Sequence, residues 1–334
     1  MAVLAPLSLT YADLVKRMQD GKIAYIVETL NETNDLLTDM RLMECNQGTA
    51  HKSTQRASLP SGAFRAFGEG VPKSKSTTIQ ITDNTSMFEA WSDVDCALAE
   101  IAPDLGAFLQ SESRSFISGM NNGMAQTMIY GNSQVNPKAF DGLFTRYNKI
   151  AGNDALTAGQ IIDAGGTGSS NTSIGLAVWG DDSLLGIYPK GTKGGLQQED
   201  LGRRPVKDSG GINEFMAYSS HYKWYNGLSV RDKRQFVRIC NIDNGVIMAD
   251  GTKAKLKDLL TYMIMAQERI YNIKGGNAAY YCSRATMTLL RLAILEKIAY
   301  NLTEETVGGK PVVQFNGIPV RRVDEILSTE ARVI

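Results

Sequence analysis

The two histidines, His51 and His221, are the first residues to test for chemistry, because imidazole can act as a base or bind a metal. His51 lies in a polar stretch, and His221 lies in the aromatic segment SSHYKWYNG. A single histidine beside Tyr and Trp is typical of a packed or surface side chain. The sequence therefore predicts no His-based triad or metal site, and it indicates no cofactor.

A glycine-rich segment, GGTGSS at residues 165–170, superficially matches a phosphate-binding loop. It lacks the Lys-Ser/Thr pair of such loops and leads into the strand-like IGLAVWG, so no helix N-terminus would face a phosphate. Asp181 and Asp182 are adjacent, and adjacent side chains on an extended chain point in opposite directions. We interpret GGTGSS as a surface loop, and we expect no enzymatic activity. A small-molecule enzyme that uses the glycine-rich loops is the alternative, and a nucleotide screen would detect it.

The 334 residues carry 35 basic and 35 acidic side chains, so net charge gives no whole-chain attraction to nucleic acid or membranes. No leader and no apolar run of membrane-spanning length is evident, which favours folding in the cytoplasm. A local basic excess between Lys190 and Arg238 fits a subunit contact as well as a nucleic-acid contact. Four cysteines without CxxC spacing are expected to be reduced, buried thiols: Cys45, Cys96, Cys240 and Cys282.

Helical periodicity predicts four helical segments. Residues 9–44 show one apolar stripe, and residues 256–272 and 284–300 show similar patterns. Residues 104–131 would form a strut of ~38 Å. Its apolar residues recur at successive steps of four, at Phe116, Met120, Met124 and Met128. Gly119 and Gly123 form a GxxxG spacing, which favours close packing of another backbone.

Residues 46–92 predict a long β-hairpin. Ile79 and Ile81 alternate with polar residues, and GEGVPKSK, from Gly68 to Lys75, supplies a turn. An isolated two-stranded ribbon is marginal in water, so this ribbon is expected to rest on another surface. Shorter strands are predicted within residues 150–250 and at 278–283, and NGIPV favours a closing hairpin with Asn-Gly at its turn.

Charge is divided along this part of the chain. Residues 46–80 carry five basic side chains and one acid, whereas residues 81–112 carry seven acids and no Lys or Arg. One interpretation is two solvated faces. The other is that the loop tip of one subunit lies over an acidic surface of the next, since complementary charge sets register and partner choice. The tip would comprise Gly68, Glu69, Gly70, Lys73 and Lys75, and the acceptor would comprise Asp83, Glu89, Asp93 and Asp95.

The stretch MIYGNSQVNPKAFDGLF, from Met128 to Phe144, ends the long helix in a run of turn formers. Gly131 and Asn132 are expected to adopt the left-handed conformation that ends helices, and Pro137 prevents helical continuation. No histidine, acid pair or basic fork lies nearby to support chemistry. We therefore interpret the segment as an architectural corner and a hinge candidate, formed by Gly131, Asn132, Pro137 and Gly142.

The order of these elements resembles the tailed-bacteriophage major capsid proteins, which have the Hong Kong 97 fold, and length and texture are similar to the epsilon15-like short-tailed phages. STTIQITDNTSMFEAWSDVDCALAEIAPDLGAFLQSESRSFISGM resembles the family's extended-loop strand running into its spine helix. MIYGNSQVNPKAFDGLF resembles the corner after that helix, AAYYCSRATMTLLRL an axial-domain strand and helix, and NGIPVRRVDEI the closing strand.

The resemblance implies an α+β fold with an N-terminal arm at 1–45, an extended β-hairpin loop at 46–92, a peripheral domain with a long spine helix at 93–148 plus 313–334, and an axial domain at 149–312. It implies a structural protein that self-assembles into hexamers and pentamers of an icosahedral shell around double-stranded DNA.

The resemblance also implies where the protein acts and with what. It would be found in the virion and assembled in the host bacterial cytoplasm, without contact to a membrane. Implied partners are further copies of the chain, portal and scaffolding proteins, packaged DNA bound without sequence specificity and, optionally, a cement or decoration protein. An encapsulin-like cellular compartment with the same fold is the alternative.

Overall fold

The computed structural model describes residues 34–151, 154–208, 211–250, 253–295, 302–307 and 310–334, together with two short antiparallel strands, β1 (Met18–Gln19) and β2 (Lys22–Ile23). Next come helix α1 (Asp35–Asp39) and strand β3 (Leu42–Glu44). The helix predicted over residues 9–44 is thus confirmed only in α1 and is wrong at β1, β2 and β3; the rest of that segment lies outside the described residues. β3 joins the main sheet, so tertiary pairing overrides the helical pattern there.

The predicted hairpin is confirmed. Strand β4 (Ala50–Ser58) pairs antiparallel with β5 (Thr77–Asp95), and residues 59–76 form the tip between them. β5 has 19 residues and extends well beyond its partner. It leads directly into helix α2 (Cys96–Ile101), so the hairpin and the helical region share one continuous strand.

The long helix α3 (Leu105–Tyr130) is also confirmed, and its 26 residues span about 39 Å. Asp104 caps its start, where the side chain accepts a hydrogen bond from the amide of Ala107 at 3.0 Å. The predicted methionine stripe is buried at Met120, Met124 and Met128. Gly123 meets the ring of Phe88 on β5, so the GxxxG spacing admits an aromatic side chain and not a second backbone.

The middle of the chain is richer in strands than the sequence suggested. It contains two short helices, α4 (Leu143–Arg146) and α5 (Ala155–Ala158). The strands are β6 (Ile161–Asp163), β7 (Asn171–Trp179), β8 (Leu184–Tyr188), β9 (Gly195–Lys207), β10 (Glu214–Val230) and β11 (Phe236–Asp243). β9 was not foreseen, because GTKGG and Pro205 read as loop signals and few of its side chains are buried.

The remaining elements are α6 (Asn244–Ala249), α7 (Ala254–Arg269), β12 (Asn277–Cys282), α8 (Arg284–Leu295), β13 (Leu302–Val307), β14 (Lys310–Phe315) and β15 (Ile318–Arg322). Apart from α6 and β13, which the sequence did not predict, they follow the predicted helix–strand–helix–hairpin order. Asn316 and Gly317 have φ angles of 50° and 78°, so the predicted Asn-Gly turn is confirmed with both residues left-handed.

Within the described residues, strands β3 to β15 form one thirteen-stranded sheet, and β10 pairs with three of them, β5, β8 and β9. Along most of its length it lies between β5 and β9, and its last residues pair with β8. Two large cores result. The first packs the methionine face of α3 and the corner after it against the sheet. In the second, α7 and α8 cover β7, β11 and β12.

The predicted domain boundaries remain predictions, and two sets of contacts cross them. β10 pairs with β5 along residues 217–227 and with β9 along residues 214–225, although β9 and β10 were placed in the axial domain. Val313, Phe315, Ile318 and Val320 pack in the second core, although they were placed in the peripheral domain.

Candidate assembly surfaces and the corner after the long helix

The hairpin tip is an exposed turn held by its own hydrogen bonds. Gly68 has φ 88°, a conformation that glycine adopts without strain. The amide of Ala66 donates to the carboxylate of Glu69 at 3.1 Å, and the hydroxyl of Ser74 donates to the carbonyl of Ser61 at 2.7 Å. Gly70, Lys73 and Lys75 lie exposed beside this turn.

The tip also carries apolar side chains that the charge argument overlooked. Phe64 and Phe67 are 109% and 107% exposed, and Leu59 and Val71 are exposed as well. Exposed apolar clusters of this kind mark interaction sites more often than single exposed side chains do. Two phenylalanines three residues apart in an otherwise polar ribbon are the sequence signal that could have identified them.

One predicted acceptor residue is wrong. Asp83 is only 3% exposed, and its carboxylate accepts hydrogen bonds from Arg146 and from the hydroxyl of Ser229, both at 2.9 Å. A buried carboxylate must be paired inside the subunit, since desolvation of an unpaired charge is costly. Asp83 is therefore unavailable to a neighbouring subunit.

The other three predicted acceptors lie on one face of β5, where alternate residues share a side. Glu89 lies 3.5 Å from the ring of His221, and Asp93 lies 3.7 Å from Arg204. Asp95 caps α2 through a hydrogen bond from the amide of Ala97 at 2.8 Å. All three remain at least partly exposed, so they form the acidic part of this face.

Two exposed apolar side chains alternate with these acids. Met87 and Trp91 are 57% and 45% exposed and lie in the part of β5 that pairs with β10. Trp91 stacks on His221 at 4.1 Å, and the guanidinium of Arg204 lies 4.5 Å from its ring centre. His221 was predicted to be a packed or surface side chain, and the structure shows it packed on Trp91. The same contacts hold Trp91 in a fixed orientation.

The corner after α3 is built differently from the prediction. Gly131 has φ −49° and ψ 138°, and Asn132 is not among the described residues with positive φ, so neither is left-handed. Glycine is required for space: a Cβ atom on Gly131 would lie 2.4 Å from the carbonyl oxygen of Phe140. A Cβ atom on Gly142 would lie 2.6 Å from the carbonyl oxygen of Ile129.

Hydrogen bonds cross this corner repeatedly. The amide of Gly142 donates to the carbonyl of Gly131 at 2.9 Å, and the amide of Ser133 donates to Asp141 at 2.7 Å. Asn132 accepts from the amide of Gln134 at 2.9 Å. Pro137 is exposed in the turn between these bonds. The hinge assignment remains a prediction, and these are the bonds that bending would break.

A buried ion pair holds residues 323–334 against the corner. Arg238 on β11 donates to Glu330 at 2.9 Å, and both side chains are almost fully buried. Arg238 also donates to the carbonyls of Phe144 and Tyr147, each at 3.0 Å. The hydroxyl of Tyr130, the last residue of α3, donates to the same Glu330 carboxylate. The helix end, the corner and the sheet therefore meet at one carboxylate.

The other residues that the sequence analysis tested for chemistry have structural roles. The GGTGSS segment leads into β7, a strand, as predicted. Asp181 pairs with Arg41 at 3.0 Å, and Arg203 in the basic region pairs with Glu100 at 2.8 Å. All four cysteines are buried free thiols, as predicted.

Within the described ranges there is no cluster of side chains suited to a metal ion. No helix in the described part of the chain is long and apolar enough to cross a membrane.

Comparisons with known proteins agree with this architecture. The family model of the major capsid protein GP7 matches residues 18–334. A chain of the bacteriophage Epsilon15 structure is 34% identical with a TM-score of 0.78, and the match covers 100% of this chain and 99% of that chain.

Two more distant structures are also similar. The bacteriophage JBD30 capsid is 10% identical with a TM-score of 0.48, covering 97% of this chain and 99% of that one. The SrpI encapsulin of Synechococcus elongatus is 13% identical with a TM-score of 0.46, covering 70% of this chain and 96% of that one. A comparison with curated proteins gave no match.

The fold and its matches define a class, the bacteriophage major capsid proteins with the Hong Kong 97-type fold. The chain belongs to the major capsid protein GP7 family. It is a structural protein of the virion, many copies of which build the capsid shell, and it is not an enzyme. Membership of this family favours a phage capsid over the encapsulin alternative.

Proposed function

We propose that the subunit assembles into hexamers and pentamers of an icosahedral shell that encloses double-stranded DNA. The observation that carries the proposal is a long hairpin whose tip projects apolar and basic side chains without covering any core of its own chain. A thin shell is held by many contacts between subunits, and a projecting ribbon supplies such a contact at a distance from the body.

In this proposal the tip of one subunit overlaps the acidic face of β5 in a neighbour. Lys73 and Lys75 would lie over Glu89, Asp93 and Asp95, which are the acids that remain accessible there. Exposed charge pairs contribute little affinity, so their role would be to select the register in which subunits meet.

The finer partners are proposals as well. Portal and scaffolding proteins would meet the shell during assembly, and a cement protein could cover its outside. The packaged DNA would be held without sequence specificity, which is compatible with 35 basic and 35 acidic residues and no net charge. The corner at Gly131, Asn132, Pro137 and Gly142 would be the hinge that bends during expansion of the shell.

Electron microscopy of the expressed protein tests the proposal. Closed shells of uniform diameter are expected, and their absence under all assembly conditions would contradict it. Lys73→Glu with Lys75→Glu should lower particle yield without changing the unfolding temperature. Lys255→Glu with Lys257→Glu, an equal charge change on the exposed side of α7, is the control and should leave yield unchanged. Equal yields from both double variants would refute the tip contact.

A further inference from the structure

Phe64 and Phe67 project from the hairpin tip into solvent, and no described part of the chain covers them. Two exposed aromatic rings forgo a favourable contribution to free energy, because removal of apolar surface from water is favourable. Large aromatic side chains are also the residues that anchor protein interfaces. Both rings are therefore expected to be buried against another protein surface.

The β5 face of the same copy does not supply that surface. Ser58 and Thr77 close the hairpin, and Phe64 lies six residues beyond Ser58, which allows a reach of at most ~22 Å. Met87 lies ten residues along β5 from Thr77, about 33 Å away. Trp91 is farther still, at about 46 Å, beyond the ~32 Å that Phe67 could reach. In this structure both rings are fully exposed, so neither packs on this face of its own copy, and contact of both rings with Met87 and Trp91 requires a second copy.

The face itself has the chemistry that such a tip needs. Met87 and Trp91 offer exposed apolar surface, and Trp91 is held in place by His221 and Arg204. Glu89 and Asp93 alternate with them on the same side of the strand. The tip repeats this pattern with opposite charge, because Phe64 and Phe67 lie beside the basic Arg65, Lys73 and Lys75.

We propose that Phe64 and Phe67 of one copy pack against Met87 and Trp91 of a second copy, as the apolar anchor of the assembly contact. This inference rests on the proposed function and adds the side chains that provide its affinity. Charge at the tip guides the approach of the two copies, whereas the aromatic rings hold them together. Loss of the rings should therefore weaken the contact more than loss of the lysines.

The wild-type shell gives the first test through tryptophan fluorescence. Of the three tryptophans, Trp179 and Trp224 are buried, so collisional quenching by acrylamide reports mainly on Trp91. The acrylamide quenching constant of Trp91 should fall several-fold when free subunits assemble into shells. Shells in which Trp91 stays as accessible as in free subunits would overturn this inference and leave the proposed function intact. Failure of the wild type to form any shell would instead overturn the proposed function.

Disulfide trapping identifies the partner residues. A Phe64→Cys, Met87→Cys double variant should give a ladder of covalent multimers after oxidation of shells, since a disulfide needs Cα atoms within about 7 Å. The four native cysteines are buried and leave a low background. The matched control, Phe64→Cys with Val135→Cys, also pairs the tip with an exposed apolar site. Ladders of equal intensity from both variants, or from neither, would overturn the proposal.

Truncation of the two rings to alanine measures their contribution to assembly. Phe64→Ala with Phe67→Ala should raise the subunit concentration needed for assembly by at least about tenfold, because aromatic anchors dominate interface affinity. Ile212→Ala with Val135→Ala removes similarly exposed apolar surface elsewhere and should leave that concentration unchanged. Both rings are fully exposed, so the unfolding temperature should not change. An unchanged assembly concentration for the ring variant would contradict the proposal.

Discussion

The guanidinium of Arg146 donates to the carboxylate of Asp83 at 2.9 Å, and this pair joins the root of the long hairpin to the corner after α3. Arg146 also donates to the carbonyl of Asp141 at 3.1 Å and to the carbonyl of Leu228 on β10 at 3.0 Å. Three separate parts of the chain therefore converge on one side chain. The orientation of the hairpin and the geometry of the corner are coupled through it.

A double-mutant cycle should reveal this coupling. Arg146→Ala leaves the buried Asp83 carboxylate unpaired and should cost about 3–5 kcal/mol of unfolding free energy. Asp83→Ala together with Arg146→Ala should cost less than the sum of the two single changes. Denaturant unfolding of the monomeric subunit measures each value. The exposed pair Arg203–Glu100 serves as the control, and its double-mutant cycle should show little or no coupling. Strict additivity at Asp83 and Arg146 would rule the coupling out.

Two glycine substitutions should act in opposite directions. Gly131→Ala places a methyl group 2.4 Å from the carbonyl oxygen of Phe140, so the corner must distort, at a cost of about 1–3 kcal/mol. Gly119→Ala meets no atom within 4 Å and lies inside α3. It should stabilise the helix by up to about 1 kcal/mol, because alanine has the higher helix propensity. Thermal unfolding compares the two, and a loss of stability at both positions would contradict this account.

Stability should fall in mildly acidic solution because of His51. Burial, and then the positive charge of Arg231, lower the pKa of His51 below its usual 6.5, while the charge of Asp83 partly opposes the shift. The unfolded chain therefore binds a proton at a higher pH than the folded chain does. The stability from neutral His51 is present above about pH 6.5 and is lost as pH falls through the lower folded pKa. His51→Gln should remove this part of the decline in unfolding experiments between about pH 7.5 and 5.5. An identical decline in both proteins would show that His51 does not contribute.

Native thiols should react slowly. Burial raises the pKa of Cys45 and Cys240 to about 11 and that of Cys282 to about 12. The thiolate is the reactive form, and at about pH 8 only about one thiol in a thousand or fewer would be ionised at these positions. A colorimetric thiol assay should detect these three only after unfolding. Rapid labelling of any of them in the native subunit would contradict the prediction, and mass spectrometry of labelled peptides identifies the site.

The sequence predicted best those elements whose signals are local. The methionine spacing of α3 and the Asn-Gly turn at Asn316 each depend on neighbouring residues alone, and each appears as expected. The hairpin was recognised from alternation and breakers, although β5 proved longer than the predicted strand. These features need no knowledge of distant parts of the chain.

Features that depend on distant partners were not predictable in the same way. β9 is a strand because β10 pairs with it, despite the loop-forming residues at its start. Asp83 belongs to an acidic stretch in the sequence, yet Arg146 removes it from the surface. At Gly131 the local rule indicated a left-handed cap, whereas the carbonyl of Phe140 imposes the requirement for glycine. The apolar side chains of the tip were missed because the sequence analysis considered only the charged residues beside them.

The pairing of β5 has a mechanical consequence. The strand is bonded to β4 from Thr77 to Asn84 and to β10 from Thr85 to Asp95. A force that pulls the tip along the strand direction loads these hydrogen bonds in shear, because they lie perpendicular to the strands. They would have to break together and not one after another. Tension applied at the tip, such as that from pressure inside a filled shell, would thus be distributed along the whole strand and into the body of the subunit.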